Sequence, residues 1–268
     1  MKQAFLYFLA LGFVLLTSCR SEFETVRTSG DPERILKQAD AYYDAEEYQR
    51  VQTLYELTIA PFRGRSQAEQ IAFRYAYTYY HTGQYVLASY YFKNFATTYG
   101  GSKLREEADF MAAYSNYRLS PIYRLDQSYS EKAIEGFEEF ANRYPSSERL
   151  TETNRLIDEM RAKMETKDFE SAKLYLDLRR YQSAITTFEN VLKEYPETQR
   201  AEEIRYLIAK AQYDFAEDSF RLRARDRYEK AVNYAETFLR RYGRGAYGEA
   251  VRNYLDKSKA ALKDLQNV

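Results

Sequence analysis

Two residues in this chain could support covalent or metal chemistry, and each occurs once: Cys19 and His81. A single cysteine cannot close a disulfide within the chain, and one cysteine with one histidine cannot assemble a Cys/His metal cluster. Cys19 sits at the end of an apolar leader, away from any catalytic setting, and His81 reads as an ordinary residue near the end of a helix. Paired carboxylates offer another route to acid–base work, and they occur at Glu106-Glu107, Glu138-Glu139 and Glu202-Glu203. None has a base or a metal ligand beside it, and each opens or lines a charged helix face that solvent alone accounts for. The expectation is therefore no enzyme, no metal site and no dissociable cofactor. What remains is recognition chemistry: the alternating Arg221, Arg223, Arg225 and Arg227, and a surplus of 28 Tyr and 16 Phe with no Trp. Lys+Arg and Asp+Glu both number 40 and are mixed along the chain. Nucleic acid is not expected as a partner, because phosphate neutralisation needs a net basic stripe.

The elements that must position these residues begin with the leader. Met1-Lys2 gives a short positive start and Ala4 to Leu16 an apolar run broken only by Gly12. That run falls short of the roughly 20 residues a spanning helix needs, so it reads as a signal-peptide core. It ends in Leu16-Thr17-Ser18-Cys19, which resembles the bacterial lipobox. The resemblance implies cleavage before Cys19 and a covalent N-acyl diacylglycerol on it, holding the chain to a membrane, with each buried methylene contributing about 0.8 kcal/mol. Arg20 follows the cysteine where inner-membrane lipoproteins often carry Asp, so the resemblance favours the outer membrane.

Beyond the leader one helix pattern recurs. Ala184, Phe188, Val191 and Tyr195 share a helix face that Pro196 terminates, and the frame returns at Ala133-Phe137-Phe140-Tyr144, Ala88-Phe92-Phe95-Tyr99, Ala231-Ala235-Phe238-Tyr242 and, loosely, Val51-Tyr55-Thr58-Phe62. A preceding helix A pairs with each framed helix B. Its core positions are expected at Ala72, Tyr75, Ala76 and Tyr79 in the second unit, at Ala108, Met111, Ala112 and Ser115 in the third, and at Ile204, Leu207, Ile208 and Ala211 in the fifth. Tyr85-x-x-Ala88-x-x-x-Phe92 and Tyr181-x-x-Ala184-x-x-x-Phe188 resemble the tetratricopeptide repeat. The fold class is accordingly all-α, a tetratricopeptide superhelix of about five helix-turn-helix units after a lipoprotein signal peptide.

The anchors at 51, 88, 133, 184 and 231 lie 37, 45, 51 and 47 residues apart, more than the roughly 34 of a standard repeat. The surplus is placed in a loop over 118–129, in one extended helix over 148–179 of about 45 Å, and in a basic loop over 217–227. The long helix contains no Gly or Pro and keeps apolar positions at Leu156, Ile157, Met160, Met164, Phe169, Ala172, Leu174, Tyr175 and Leu178. After Gly248, Glu249 to Leu265 reads as a capping helix. The chain thus divides into a signal peptide (1–18), a lipidated, aperiodic tether (19–30), units one to three (31–147), and the long joining helix with units four and five and the cap (148–268).

A lipobox followed by these units, with Leu119-Ser120-Pro121, Leu125-Asp126-Gln127, Leu156-Ile157-Asp158-Glu159-Met160-Arg161, Ala172-Lys173-Leu174-Tyr175 and Tyr195-Pro196, resembles the BamD family, lipoprotein subunits of the outer-membrane β-barrel assembly machinery. That resemblance implies a non-catalytic scaffold on the periplasmic face of the outer membrane. Its C-terminal repeats would dock the POTRA domains of the barrel-forming subunit, beside other assembly lipoproteins, and its N-terminal repeats would receive unfolded outer membrane proteins. Phe73, Tyr77 and Tyr80 lie outside the helix A core frame, and with Leu36 and Tyr43 they are expected to form a groove for precursor segments ending in aromatic residues. Arg221, Arg223, Arg225 and Arg227 are expected to meet an acidic patch on the partner. The rival reading is another tetratricopeptide envelope lipoprotein, a cell-wall coordination scaffold or a glycan-uptake receptor; the absence of Trp weighs against sugar stacking.

Overall fold

The computed structural model describes residues 22–266. The signal peptide expected over 1–18 and the acylation site Cys19 lie outside the described residues. Twelve helices and no strand are found among the described residues, so the all-α class holds. They are α1 (Glu22–Arg27), α2 (Pro32–Asp44), α3 (Tyr48–Ile59), α4 (Ala68–His81), α5 (Tyr85–Thr98), α6 (Arg105–Leu119), α7 (Ser128–Arg143), α8 (Leu150–Asp177), α9 (Tyr181–Glu194), α10 (Ala201–Glu217), α11 (Arg221–Tyr242) and α12 (Gly248–Gln266).

Five A–B pairs run from α2–α3 to α10–α11. Every framed B-helix position is buried at its small and large residues: Ala88, Phe92 and Phe95 are at most 1% exposed, as are Ala133, Phe137 and Phe140. Losing one such phenylalanine to Ala costs about 3–5 kcal/mol, so these positions dictate the packing. Asp31 caps α2 as its sequence predicts, accepting from the Arg34 amide at 3.1 Å, with Pro32 at the first turn. Gly83 sits at φ +75°, a left-handed turn between α4 and α5 that side-chain-bearing residues resist.

Several expectations are corrected. The tether is not wholly aperiodic: α1 forms, held by Arg27–Glu24 at 2.8 Å, and it buries Val26 while Phe23 packs on Tyr42. Six residues are too few to display a helical period in sequence. The third-unit loop shortens to 120–127 because helix claims both its ends; the Gln127 side-chain amide donates to the Ile122 and Leu125 carbonyls and folds it tightly. In α4 the buried set is Ile71, Tyr75, Ala76 and Thr78, with Ala72 and Tyr79 half-buried, and Leu207 in α10 is likewise half-buried. Leu174 and Tyr175 on α8, and Leu178 in the turn after it, face solvent, because Phe169 and Ala172 already fill the face toward α9. The arginines over 221–227 lie on the first turns of α11 and not on a loop, since the turn comes earlier, at Asp218-Ser219.

The chain resolves into two compact units. The first comprises the residues through Pro121 together with Ser128–Ile157, and the second comprises Ile122–Gln127 with Asp158 onward. The division therefore falls inside α8, not before it.

One closing device recurs in the first four repeats. An acidic residue of helix A accepts from a side chain in the turn after helix B: Arg65 to Glu33 at 2.7 Å, Ser102 to Glu69 at 2.5 Å, Ser147 to Glu106 at 2.6 Å and Thr198 to Glu165 at 2.6 Å. The three hydroxyls also accept from the amides of Leu104, Arg149 and Arg200. In the fifth repeat the position is Gly245, whose turn bond to Tyr242 O at 2.9 Å matches Ser147 to Tyr144 O at 3.0 Å. Its partner Glu202 has a buried Oε1 with no hydrogen-bond partner.

Candidate functional site

The acidic markers put the A helices of repeats two to five in one register. Four residues beyond them stand Phe73, Phe110, Phe169 and Tyr206; eight beyond, Tyr77, Tyr114, Lys173 and Lys210; eleven beyond, Tyr80, Tyr117, Leu176 and Tyr213. The first set packs inward. Phe73 meets Phe95 at 5.1 Å and Phe92 at 6.1 Å, and Phe110 meets Phe137 and Phe140 in the same manner. Phe73 is thus a repeated packing position at the interface of α4 with α5.

Residues at the second and third offsets join neighbouring A helices within the first unit. The Tyr77 hydroxyl donates to Glu107 Oε1 at 2.6 Å, and Glu107 in turn accepts from Arg149 at 2.5 Å, which pins α4 to α6. Burial, then the Glu107 hydrogen bond, drives the Tyr77 phenol well above its ordinary pKa, so it remains a neutral donor. Tyr80 stands among Tyr77 (6.4 Å), His81 (5.6 Å), Tyr85 (5.5 Å) and Tyr114 (6.2 Å), and Tyr114 continues to Tyr117 at 5.4 Å. Tyr77, Tyr80, Tyr114 and Tyr117 are each half-buried. His81 ends α4 and stacks on Tyr48 at 4.2 Å, with burial lowering its pKa and Glu46 opposing that shift.

Of the expected groove residues, Phe73, Tyr77 and Tyr80 come together through ring contacts. Tyr43 lies one repeat away against Tyr48 and Tyr55, under the Arg74 guanidinium at 4.7 Å. Leu36 packs onto the first-repeat core, which includes Ile35, Ala39 and Tyr55. Tyr114, Tyr117 and Arg118 were not singled out from the sequence. The signal was present in the acidic register, which makes Tyr114 and Tyr117 the third-repeat equivalents of Tyr77 and Tyr80.

The four arginines do not act alike. Arg227 lies 3.7 Å over the Phe215 ring and donates to Ser219 Oγ, while Arg221, Arg223 and Arg225 are exposed. Interleaved with them are Phe220 and Leu222, 89% and 99% exposed, the most exposed large apolar side chains in the second unit. Arg179 at the α8–α9 turn holds Asp218 through two bonds of 2.6 Å and so fixes the turn from which they project.

Helical hairpins of tetratricopeptide type define the class as an all-α helical-repeat protein, and no helix among the described residues is long and apolar enough to cross a membrane. The comparison with known families narrows this further: the profile of the YfiO family, described as outer membrane lipoprotein, matches residues 28–225, and the chain belongs to that family. The match spans the A and B helices of the first four repeats and ends within the first turns of α11. A comparison with curated proteins found no match.

Proposed function

We propose that the chain is a BamD-type subunit of the machinery that assembles β-barrel proteins in the outer membrane, acting by binding and not by catalysis. In this reading the acyl groups on Cys19 hold it to the periplasmic face of that membrane, with no other cofactor. The A-helix face of the second and third repeats takes extended segments of unfolded barrel precursors. The turn leading into α11 docks the POTRA domains of the barrel-forming subunit, alongside other assembly lipoproteins.

One observation carries the proposal: Tyr77, Tyr80, Tyr114 and Tyr117 of α4 and α6 form a continuous, half-open aromatic surface. Tyrosine suits such a surface because it offers apolar area and a hydroxyl at modest entropic cost. Tyr43 extends it toward the first repeat, while Leu36 and Phe73 support it from beneath. Docking is supported by Phe220 and Leu222 standing free among Arg221, Arg223 and Arg225, an apolar anchor with a cationic rim; Arg227 serves to hold the turn.

Photo-crosslinking of barrel-precursor peptides to the lipidated protein tests the groove. Tyr77→Ala with Tyr80→Ala is expected to lose most of the crosslink, and an unchanged crosslink refutes the groove. Co-purification tests the partner: a sixteen-strand barrel protein is expected with the wild type and lost with Phe220→Ser and Leu222→Ser. Recovery of peptidoglycan factors instead would overturn the assembly role.

A further inference from the structure

Arginines stacked on aromatic rings are common in the first unit, and nearly all of them are neutralised. Arg50 over Tyr42 pairs with Glu47 at 2.6 Å, Arg65 over Phe62 with Glu33 at 2.7 Å, Arg74 over Tyr43 with Asp40 at 3.0 Å, and Arg149 over Phe110 with Glu107 at 2.5 Å. Arg118 differs. Its guanidinium lies 4.8 Å over Tyr85 and 6.0 Å from the Tyr80 ring, and its Nη1 donates to Tyr80 Oη at 3.3 Å. Among the described residues it makes no ion pair. Glu107, on the same helix, is already committed to Tyr77 and Arg149.

A guanidinium carries five N–H donors in a fixed fork that matches a carboxylate. Here the two ring contacts orient the fork beforehand, so a bound anion incurs less of the rotamer cost an exposed arginine usually carries. The charge stands at the edge of the Tyr80–Tyr114 platform, in a surface whose other members are neutral phenols. We propose that Arg118 is an anion-reading position that binds a peptide carboxylate lying beside an aromatic side chain, the ring resting on Tyr80 and Tyr114 and the carboxylate on the Arg118 fork. The proposal rests on the groove reading above and assigns it a specificity-determining residue. The carboxylate could be a chain terminus or an adjacent acidic side chain, and the two are separable by experiment.

The test uses the lipidated mature protein in detergent and three fluorescent decapeptides: one ending in Phe with a free carboxylate, the same peptide as its C-terminal amide, and the amide with Asp placed next to the Phe. A hydrogen-bonded charge contributes about 1.5–3 kcal/mol, so the free acid is expected to bind about 10-fold or more tightly than the plain amide. Arg118→Gln should erase that preference, so that acid and amide bind alike, and Arg118→Lys should retain only part of it. Tyr80→Ala should weaken acid and amide alike. If the Asp peptide binds like the free acid, the site reads an acidic side chain as well as a terminus; if it binds like the amide, the terminus is the ligand. Equal binding of acid and amide by the wild type, or a preference that survives Arg118→Gln, overturns the assignment of Arg118 and leaves the groove standing. Failure of all three peptides to bind, or binding indifferent to Tyr80→Ala, overturns the groove and this inference with it.

Discussion

Gly245→Ser should stabilise the second unit, because the fifth repeat lacks the closing hydroxyl that three others possess. Its backbone already has the required shape, since its turn bond to Tyr242 O matches those of Ser102, Ser147 and Thr198. Its φ lies outside the left-handed range, so a side chain meets no backbone strain there. A Cβ built on Gly245 overlaps the Glu202 carboxylate, so that carboxylate must rotate aside. It is the free end of a flexible side chain, and the move costs about 0.5–1.5 kcal/mol. Against this, replacing glycine restricts the unfolded chain by about 0.4–1 kcal/mol. The new hydroxyl gives Glu202 a charge-assisted bond of about 1.5–3 kcal/mol where Oε1 now has none. The net gain is about 1–2 kcal/mol, or roughly 2–6 °C in Tm for a unit or chain of this size. Circular dichroism melts read the shift, and hydrogen exchange across α10–α12 localises it. Thr198→Ala is the matched control and should lose about 1–2 kcal/mol through its orphaned Glu165. A Thr198→Ala loss with no gain in Gly245→Ser would refute the equivalence of the fifth turn. A neutral Thr198→Ala would refute the device altogether.

Alkaline pH should weaken the fold in a defined window. Burial and the bond to Asp109 push the Tyr144 phenol up to about 12, and burial with Glu189 raises Tyr234 to about 12. A raised phenol pKa gives stability that is complete below the unfolded value near 10 and is lost as pH rises toward 12, so urea midpoints should hold steady to about pH 10 and then fall, less steeply in Tyr144→Phe. Gly136→Ala should destabilise the α6–α7 contact by about 1–3 kcal/mol, because a Cβ there falls 2.9 Å from the Ala113 methyl; urea melts measure it, and a neutral result would mean the two helices part easily. Cys19→Ser should move the chain from the membrane fraction to the soluble periplasm, measured by fractionation; retention in the membrane would remove the acyl anchor from the proposal.

The B helices were legible in the sequence because each framed position answers to one steric demand. Ala88, Ala133 and Ala184 let helices approach, while Phe92, Phe137 and Phe188 fill the space beyond. The A helices were harder, because their faces do two jobs. Phe73 reads as a surplus aromatic when taken alone, and only its equivalence to the buried Phe110 and Phe169 reveals it as packing. The uncovered Leu174, Tyr175 and Leu178 could not be foreseen, because apolar identity says what can be buried and not what a neighbour reaches. The arginines of α11 looked like a loop for a related reason: arginine is a good helix former, and alternation of charge at i, i+2 carries no helical face.

The acidic marker of each A helix separates the two jobs. Position four is aromatic in repeats two to five, as packing against helix B requires. Positions eight and eleven are Tyr in both the second and third repeats, but Lys173 and Leu176, then Lys210 and Tyr213, in the fourth and fifth. In the second unit those residues line a cleft of about 610 Å³ together with Asp177, Asp214 and Asp218, so the same surface is charged there. If the tyrosine at eight served packing alone, the fourth and fifth repeats, built on the same hairpin, would need it too, and both carry lysine there. Position eleven is tyrosine again in the fifth repeat, where Tyr213 is buried. The tyrosine at position eight of α4 and α6 is therefore a local choice of side chain on a shared scaffold, and that difference between repeats supports the binding proposed for the first unit.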